Sequence, residues 1–127
     1  MRYLFDSSAW IEYLEGGKSG EAVSKILEDE NNEIYSVNII VAEVVSKSER
    51  KKVNVDIAYN SIISNSELIE IDSHTAKKAG LLHAEAKKKN ESFSLIDSFI
   101  ITAAYEIGAK LVTKDSHFKG FKNVIFI

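Results

Sequence analysis

The stretch Tyr3-Leu4-Phe5-Asp6-Ser7-Ser8-Ala9-Trp10-Ile11-Glu12-Tyr13-Leu14 decides the fold class of this chain. An apolar triplet without polar alternation runs straight into an acid. Alternation appears only where one face of a sheet is wet, so Tyr3-Leu4-Phe5 is expected to be a strand covered on both faces. Beyond Asp6, Trp10, Ile11 and Leu14 recur at helical spacing, which predicts a helix over about 7–15.

The same alternation of short strand and helix continues outward. Val23, Ile26 and Leu27 predict a helix over about 20–30, and Glu33 to Ser36 a strand. A helix then runs from Asn38 through Ile40, Val41, Val44 and Val45 to the basic end at Lys52. Residues from about Val55 to Ser64 form another, with Ile57, Ala58, Ile62 and Ile63 expected inward. Leu68 to Ile71 reads as a strand at a sheet edge, and Asp72-Ser73 caps a helix that ends near Lys89. Ser94 to Ile107 is the most apolar helix and stops at Gly108, a residue suited to the left-handed turn after a helix. Lys110 to Thr113 and Asn123 to Ile127 are the last strands. Gly16-Gly17 and Asn31-Asn32 mark turns. Strands alternating with helices give an α/β domain with a mainly parallel sheet. Ligands of such sheets bind beyond the carboxyl ends of the strands, so function is sought just after each strand.

With 127 residues and 45% hydrophobic side chains, one domain over residues 1–127 is expected, with enough apolar material for a core. The chain has no cysteine, which excludes disulfides and thiolate metal sites. No apolar run reaches the roughly 20 residues of a membrane span, and the acid at position 6 comes too early for a signal peptide. A soluble cytoplasmic protein is expected. The net charge of -3 argues against a broad nucleic-acid-binding face. The runs Arg50-Lys51-Lys52 and Lys87-Lys88-Lys89 are read first as solvated helix ends, where cations are favoured.

Four acids stand out, each with an ordinary alternative. Asp6 and Asp115 both follow predicted strands, where an acid serves equally well as a helix cap or as part of a cleft. Asp97 lies in an apolar helix, and a buried carboxylate is costly unless hydrogen-bonded, paired or on a metal. Ser94 and Asp97 also have capping-box spacing, and both roles are compatible. Glu43 sits in Ile39-Ile40-Val41-Ala42-Glu43-Val44-Val45; an i,i+4 pair with Lys47 is worth only about 0.2–0.5 kcal/mol, too little to offset burial. Asp72 is read as a plain cap, and Asp56 has no assigned role.

Carboxylates that converge cannot all ionise without counter-charge. Oxygen-only ligation suits Mg²⁺ or Mn²⁺, and such ions serve phosphodiester hydrolysis. No Walker-type phosphate loop and no Gly-x-Ser-x-Gly elbow is present. His74, His83 and His117 show no paired metal spacing; His83, on a helix face with Ala79, Gly80 and Ala86, is expected to pack closely against a neighbour, and His117 is a candidate for the pocket mouth.

Taken together, Leu4-Phe5-Asp6-Ser7-Ser8, Ala42-Glu43-Val44, Leu95-Ile96-Asp97-Ser98 and Leu111-Val112-Thr113-Lys114-Asp115 with His117-Phe118 resemble the PIN-domain family, close to its VapC-like toxins. The resemblance covers essentially the whole chain. It implies a three-layer α/β/α sandwich with a mainly parallel four- to five-stranded sheet in the order 3-2-1-4-5. It implies that Asp6, Glu43, Asp97 and Asp115 are catalytic and bind Mg²⁺ or Mn²⁺, with Ser7 and Thr113 as supporting hydroxyls. The implied activity is a metal-dependent endoribonuclease, leaving a 5′-phosphate and a 3′-hydroxyl. The implied partners are an RNA substrate, a small antitoxin and a second copy in a homodimer. Many relatives carry a further acid where this chain has His117, which leaves the fourth corner of the site and the number of metals open. The alternatives are a non-toxin RNA-processing nuclease and a non-catalytic binding module. A receiver domain fits poorly because position 7 is Ser beside Asp6, and a haloacid-type phosphatase because position 8 is Ser8 and not an acid.

Overall fold

Strands that are apolar on both faces need two layers of cover, and the chain supplies them from the segments between its strands. The computed structural model describes residues 1–127. In chain order the elements are β1 (Arg2–Phe5), α1 (Ser7–Glu15), α2 (Gly17–Glu28), β2 (Glu33–Val37), α3 (Asn38–Arg50), α4 (Val55–Asn65), β3 (Glu67–Ile69), α5 (Ser73–Lys87), α6 (Leu95–Glu106), β4 (Lys110–Thr113) and β5 (Val124–Phe126). A short 3-10 turn, Ser116–Phe118, lies between the last two strands. All neighbouring strands pair in parallel, in the order β3-β2-β1-β4-β5.

That order fixes where a site can form. The chain steps one way from β1 to β3 and then returns to the other side of β1 for β4. Right-handed crossovers therefore put α1–α4 on one face and α5–α6 on the other. The packing agrees: α1 lies on α2 and α3, α3 on α4, and α5 on α6. The crevice between the carboxyl ends of β1 and β4 is the topological switch point, where open parallel sheets bind ligands.

The core is built from the strands outward. Leu4, Phe5, Val37, Leu111 and Val112 are fully buried, with Trp10 of α1 and Ile101 of α6 closing over the sheet. Trp10 packs edge-on against Phe5 at 5.2 Å. Its indole N–H donates to Ser36 Oγ at 2.8 Å, the partner a buried indole needs. The α1–α2 turn depends on glycine twice. Gly16 takes a φ of 82°, and a Cβ on Gly20 would fall on the Glu12 carbonyl, so α2 could not lie this close to α1.

The fourth helix departs from expectation. Ala58 and Ile62 are buried, but Ile57 and Ile63 are 61% and 41% exposed. α4 sits at the rim over the edge strand β3 and packs mainly on α3. Only one narrow i,i+4 stripe finds a neighbour there, so apolar residues flanking it stay in solvent. α6 is covered far more fully, with seven of its 12 residues buried, although Leu95 and Ile96 in its first turn are exposed. No helix is long and apolar enough to cross a membrane.

Candidate active site

The end of β1 and the end of β4 are stitched together through one carboxylate. Asp6 caps α1: its Oδ1 accepts from the Ala9 backbone N–H at 2.9 Å and from the Ser8 hydroxyl at 2.6 Å. Its Oδ2 accepts a short hydrogen bond from the Thr113 hydroxyl. Thr113 Oγ1 in turn accepts from the Asp115 N–H at 2.9 Å, and Ser8 Oγ accepts from the Lys114 N–H at 2.8 Å. Asp6 is 3% exposed. Burial pushes its carboxyl pKa up and the Asp115 charge adds to this, while the bonds from Ser8, Thr113 and Ala9 pull the other way.

Asp97 arrives from the opposite layer. Ser94 Oγ accepts from the Asp97 N–H at 3.0 Å and Asp97 Oδ2 accepts from the Ser94 N–H at 3.1 Å, a complete capping box at the start of α6. Asp97 Oδ2 also lies 3.3 Å from His117 Nδ1. Asp115 opens the 3-10 turn, its Oδ1 accepting from the His117 N–H at 2.8 Å, and lies 3.4 Å from His117 Nδ1. The caps expected at Asp6, Ser94 and Asp115 are present, and Asp6, Asp97 and Asp115 all line one cavity.

Glu43 has no such anchor. It projects from α3, no ion pair closes to Lys47, and its Oε1 is buried without a hydrogen-bond partner. Burial raises its pKa first, then repulsion from Asp6 and Asp97, with Lys47 opposing. A carboxylate oxygen in that state is compensated by a cation or by a proton.

All four acids, Asp6, Glu43, Asp97 and Asp115, line one cavity of about 420 Å³. Ser7, Ser8, Lys47, Lys51 and Lys114 share its wall. Lys114 Nζ pairs with Glu12 at 2.7 Å and Lys51 with Glu15 at 3.2 Å, which places cations at the rim. The run Arg50-Lys51-Lys52, expected at a solvated helix end, thus sends one member to the cavity. Donor atoms of Asp97, Asp115 and His117 also lie within 4.8 Å of one another, close enough for one ion. The donor set is dominated by carboxylate oxygen, which hard divalent cations prefer, with the His117 imidazole as its one nitrogen.

Two neighbours of the acids differ in weight from their sequence reading. Ser7 reaches the cavity but makes no side-chain hydrogen bond, whereas Ser8 bridges Asp6 to Lys114. The available signal was position: a hydroxyl two residues after a capping Asp can turn back to it. His83 meets its expectation, with its ring stacked over Phe93 at 6.3 Å and Nε2 3.2 Å from the Phe93 carbonyl.

The family model of the PIN domain matches residues 3–124. The chain belongs to the PIN-domain family. A search of curated protein sequences gives no significant match. Among solved structures, this PIN domain is similar to VapBC2 from Rickettsia felis, described as bound to a DNA fragment from its promoter: 23% identity, TM-score 0.75, 100% of this chain and 98% of that one. It is similar to VapC20 of Mycobacterium tuberculosis, a sarcin–ricin loop cleaving toxin, at 14% identity and TM-score 0.75, covering 96% and 98% of the two chains. A toxin–antitoxin complex from Klebsiella pneumoniae gives 22% identity and TM-score 0.74, over 97% of this chain and 95% of that one. At these identities the likeness is one of fold.

Proposed function

We propose that this PIN domain is a divalent-metal-dependent endoribonuclease and the toxin of a toxin–antitoxin pair. In this reading residues 1–127 act as one nuclease domain that forms a homodimer, is silenced by a small antitoxin, and works in the cytoplasm. The observation that carries it is the unpartnered Glu43 Oε1, buried in a cavity with three further carboxylates. The named neighbours, a sarcin–ricin loop cleaving toxin among them, favour RNA as the substrate class and an antitoxin as partner.

Asp6, Glu43, Asp97 and Asp115 would hold Mg²⁺ or Mn²⁺. When bound, the ion supplies the positive charge that activates water and stabilises the attacking and leaving oxygens of an in-line displacement. The chain's own residues do the positioning. Ser8, Thr113 and the Ala9 N–H fix both Asp6 oxygens, and the capping box fixes Asp97, so neither carboxylate must be ordered when substrate arrives. Thr113 thereby acts as a supporting hydroxyl, with Ser8 taking the hydrogen bonds that Ser7 lacks. Lys47, Lys51 and Lys114 on the wall give the RNA phosphates a cationic approach that the total charge conceals. Water gives up a proton as its oxygen bonds to phosphorus, the bond from phosphorus to the 3′-oxygen breaks, and that oxygen takes a proton to leave as the 3′-hydroxyl.

The test is cleavage of RNA by purified protein in Mg²⁺ or Mn²⁺. Activity should vanish in excess chelator and in Asp97→Asn, whose amide oxygen still serves the cap and preserves the fold. Equal cleavage in chelator, or full activity of a folded Asp97→Asn, defeats the reading.

A further inference from the structure

A second cavity, about 440 Å³, is lined in part by His117. His117 lies 3.3 Å from Asp97 and 3.4 Å from Asp115, two acids that line the first cavity, so one side chain links the two linings. The linings differ in kind. The acidic cavity is walled by carboxylates and lysines, while this one presents the aromatic pair Phe93 and Phe121 with Asn90, Lys89 and Lys119 around it. Phe93 is fully buried and stacks on Phe121 at 5.1 Å with the rings 25° from parallel. With His83 behind Phe93 at 6.3 Å, the three rings form a ladder whose partly exposed end is Phe121. Neither Lys89 nor Lys119 takes part in an ion pair, unlike Lys51 and Lys114 at the acidic rim.

We propose that this cavity is a nucleobase subsite: it receives an unstacked base of the RNA next to the scissile phosphate, with Phe121 as its stacking surface. The inference rests on the nuclease reading and adds to it where the strand lies. Single-stranded RNA is recognised by splaying bases onto aromatic side chains, with amides and charged groups at the base edges and phosphates. Asn90, whose Oδ1 accepts from the Ser92 N–H at 3.1 Å, offers its NH2 group to a base edge, and Lys89 and Lys119 offer cations to the flanking phosphates. His117, lining this cavity and touching Asp97 and Asp115 of the acidic one, places a base here within reach of a phosphate held there, as neighbouring parts of one nucleotide strand require. Stacking tolerates any base, so the subsite sets strand position more than sequence.

The test starts from a short RNA, chosen from a random pool because the wild-type protein cuts it in Mn²⁺. KM and kcat are measured for wild type, Phe121→Leu and Phe121→Trp, with thermal melts to establish that each variant folds. Leu keeps the apolar contact with Phe93 and loses the flat face; Trp keeps both. Phe121→Leu should raise KM about tenfold with kcat little changed, and Phe121→Trp should restore KM. The same RNA carrying 5-iodouridine beside the cut bond, irradiated in chelator with wild-type protein, should crosslink to the peptide containing Phe121. KM unmoved in a folded Phe121→Leu, or a crosslink confined to α3, overturns the subsite while leaving the nuclease reading intact. Loss of a co-purifying small protein from Phe121→Leu with KM unmoved assigns the cavity to a protein partner and equally overturns it. If the wild type cuts no RNA at all, the nuclease reading fails and the subsite with it.

Discussion

Replacing Glu43 by Gln removes one negative charge from the acidic cavity without changing the size of the side chain. In the wild type, Oε1 is buried and unpartnered, and burial with repulsion from Asp6 and Asp97 holds the carboxyl above its ordinary 4.5. Gln leaves a polar atom in that place but removes the charge that burial and the neighbouring acids disfavour; for a half-buried, partly solvent-screened group that relief is worth about 1 kcal/mol. For a chain of this size that is about 3–5 °C in Tm. Metal-free Glu43→Gln should therefore melt about 3–5 °C above the metal-free wild type at about pH 8. Below 4.5 the carboxyl is neutral whether the chain is folded or not, so no penalty exists there. The penalty grows as pH rises through the raised folded-state value, and the gap between variant and wild type opens in that direction. Under the proposed metal-binding reading, metal should reverse the order. A ligand at a hundredfold excess over its Kd stabilises by about 2.7 kcal/mol, and the variant, lacking one ligand oxygen's charge, gains less. Thermal melts by circular dichroism after chelator dialysis, repeated in Mn²⁺, measure both effects. A metal-free Glu43→Gln that melts at or below wild type at about pH 8 refutes the reasoning, as does an equal rise for both proteins in Mn²⁺.

Three further outcomes follow from named contacts. Ser8→Ala removes the hydroxyl that joins Asp6 to Lys114 and should cost about 1–2 kcal/mol in urea unfolding, whereas Ser7→Ala should change little. Thr113→Val keeps shape but deletes the bond to Asp6 and the acceptor for the Asp115 N–H; about 2 kcal/mol should be lost, with RNA cleavage falling in parallel. On α4, Ile57→Lys should stay within about 0.5 kcal/mol of wild type while Ile62→Ala loses about 2–5 kcal/mol, a contrast that paired denaturation curves resolve.

Much of the fold and of the candidate site is legible in the sequence, for identifiable reasons. Tyr3-Leu4-Phe5 and Leu111-Val112 announce central strands because cover on both faces removes the polar alternation that edge strands need. Asp6, Asp72, Ser94 and Asp115 show as caps because capping is a local act between residues two or three apart. What local reasoning could not supply was which side of a helix finds a neighbour. Ile57 and Ile63 have the same apolar character as Ile62, and only the position of α4 over the sheet edge leaves them wet. The Ser7 and Ser8 hydroxyls are likewise equivalent until α1 winds and turns Ser8 toward β4. The aromatic ladder joins His83, Phe93 and Phe121 across three separate segments, so no window of sequence contains it.

The anchoring of Asp6 has a consequence for any genetic selection that recovers inactive variants. Its two oxygens serve the start of α1 and the end of β4 at once, so a lesion there loosens the joint between two halves of the sheet. Such variants should be recovered as degraded or insoluble chains. Glu43 makes no hydrogen bond through its buried oxygen, so under the proposed nuclease reading a lesion there should leave an inert but intact shell that still presents its outer surfaces. Recessive and dominant-negative alleles of one protein would then separate according to which carboxylate of a single cavity was changed.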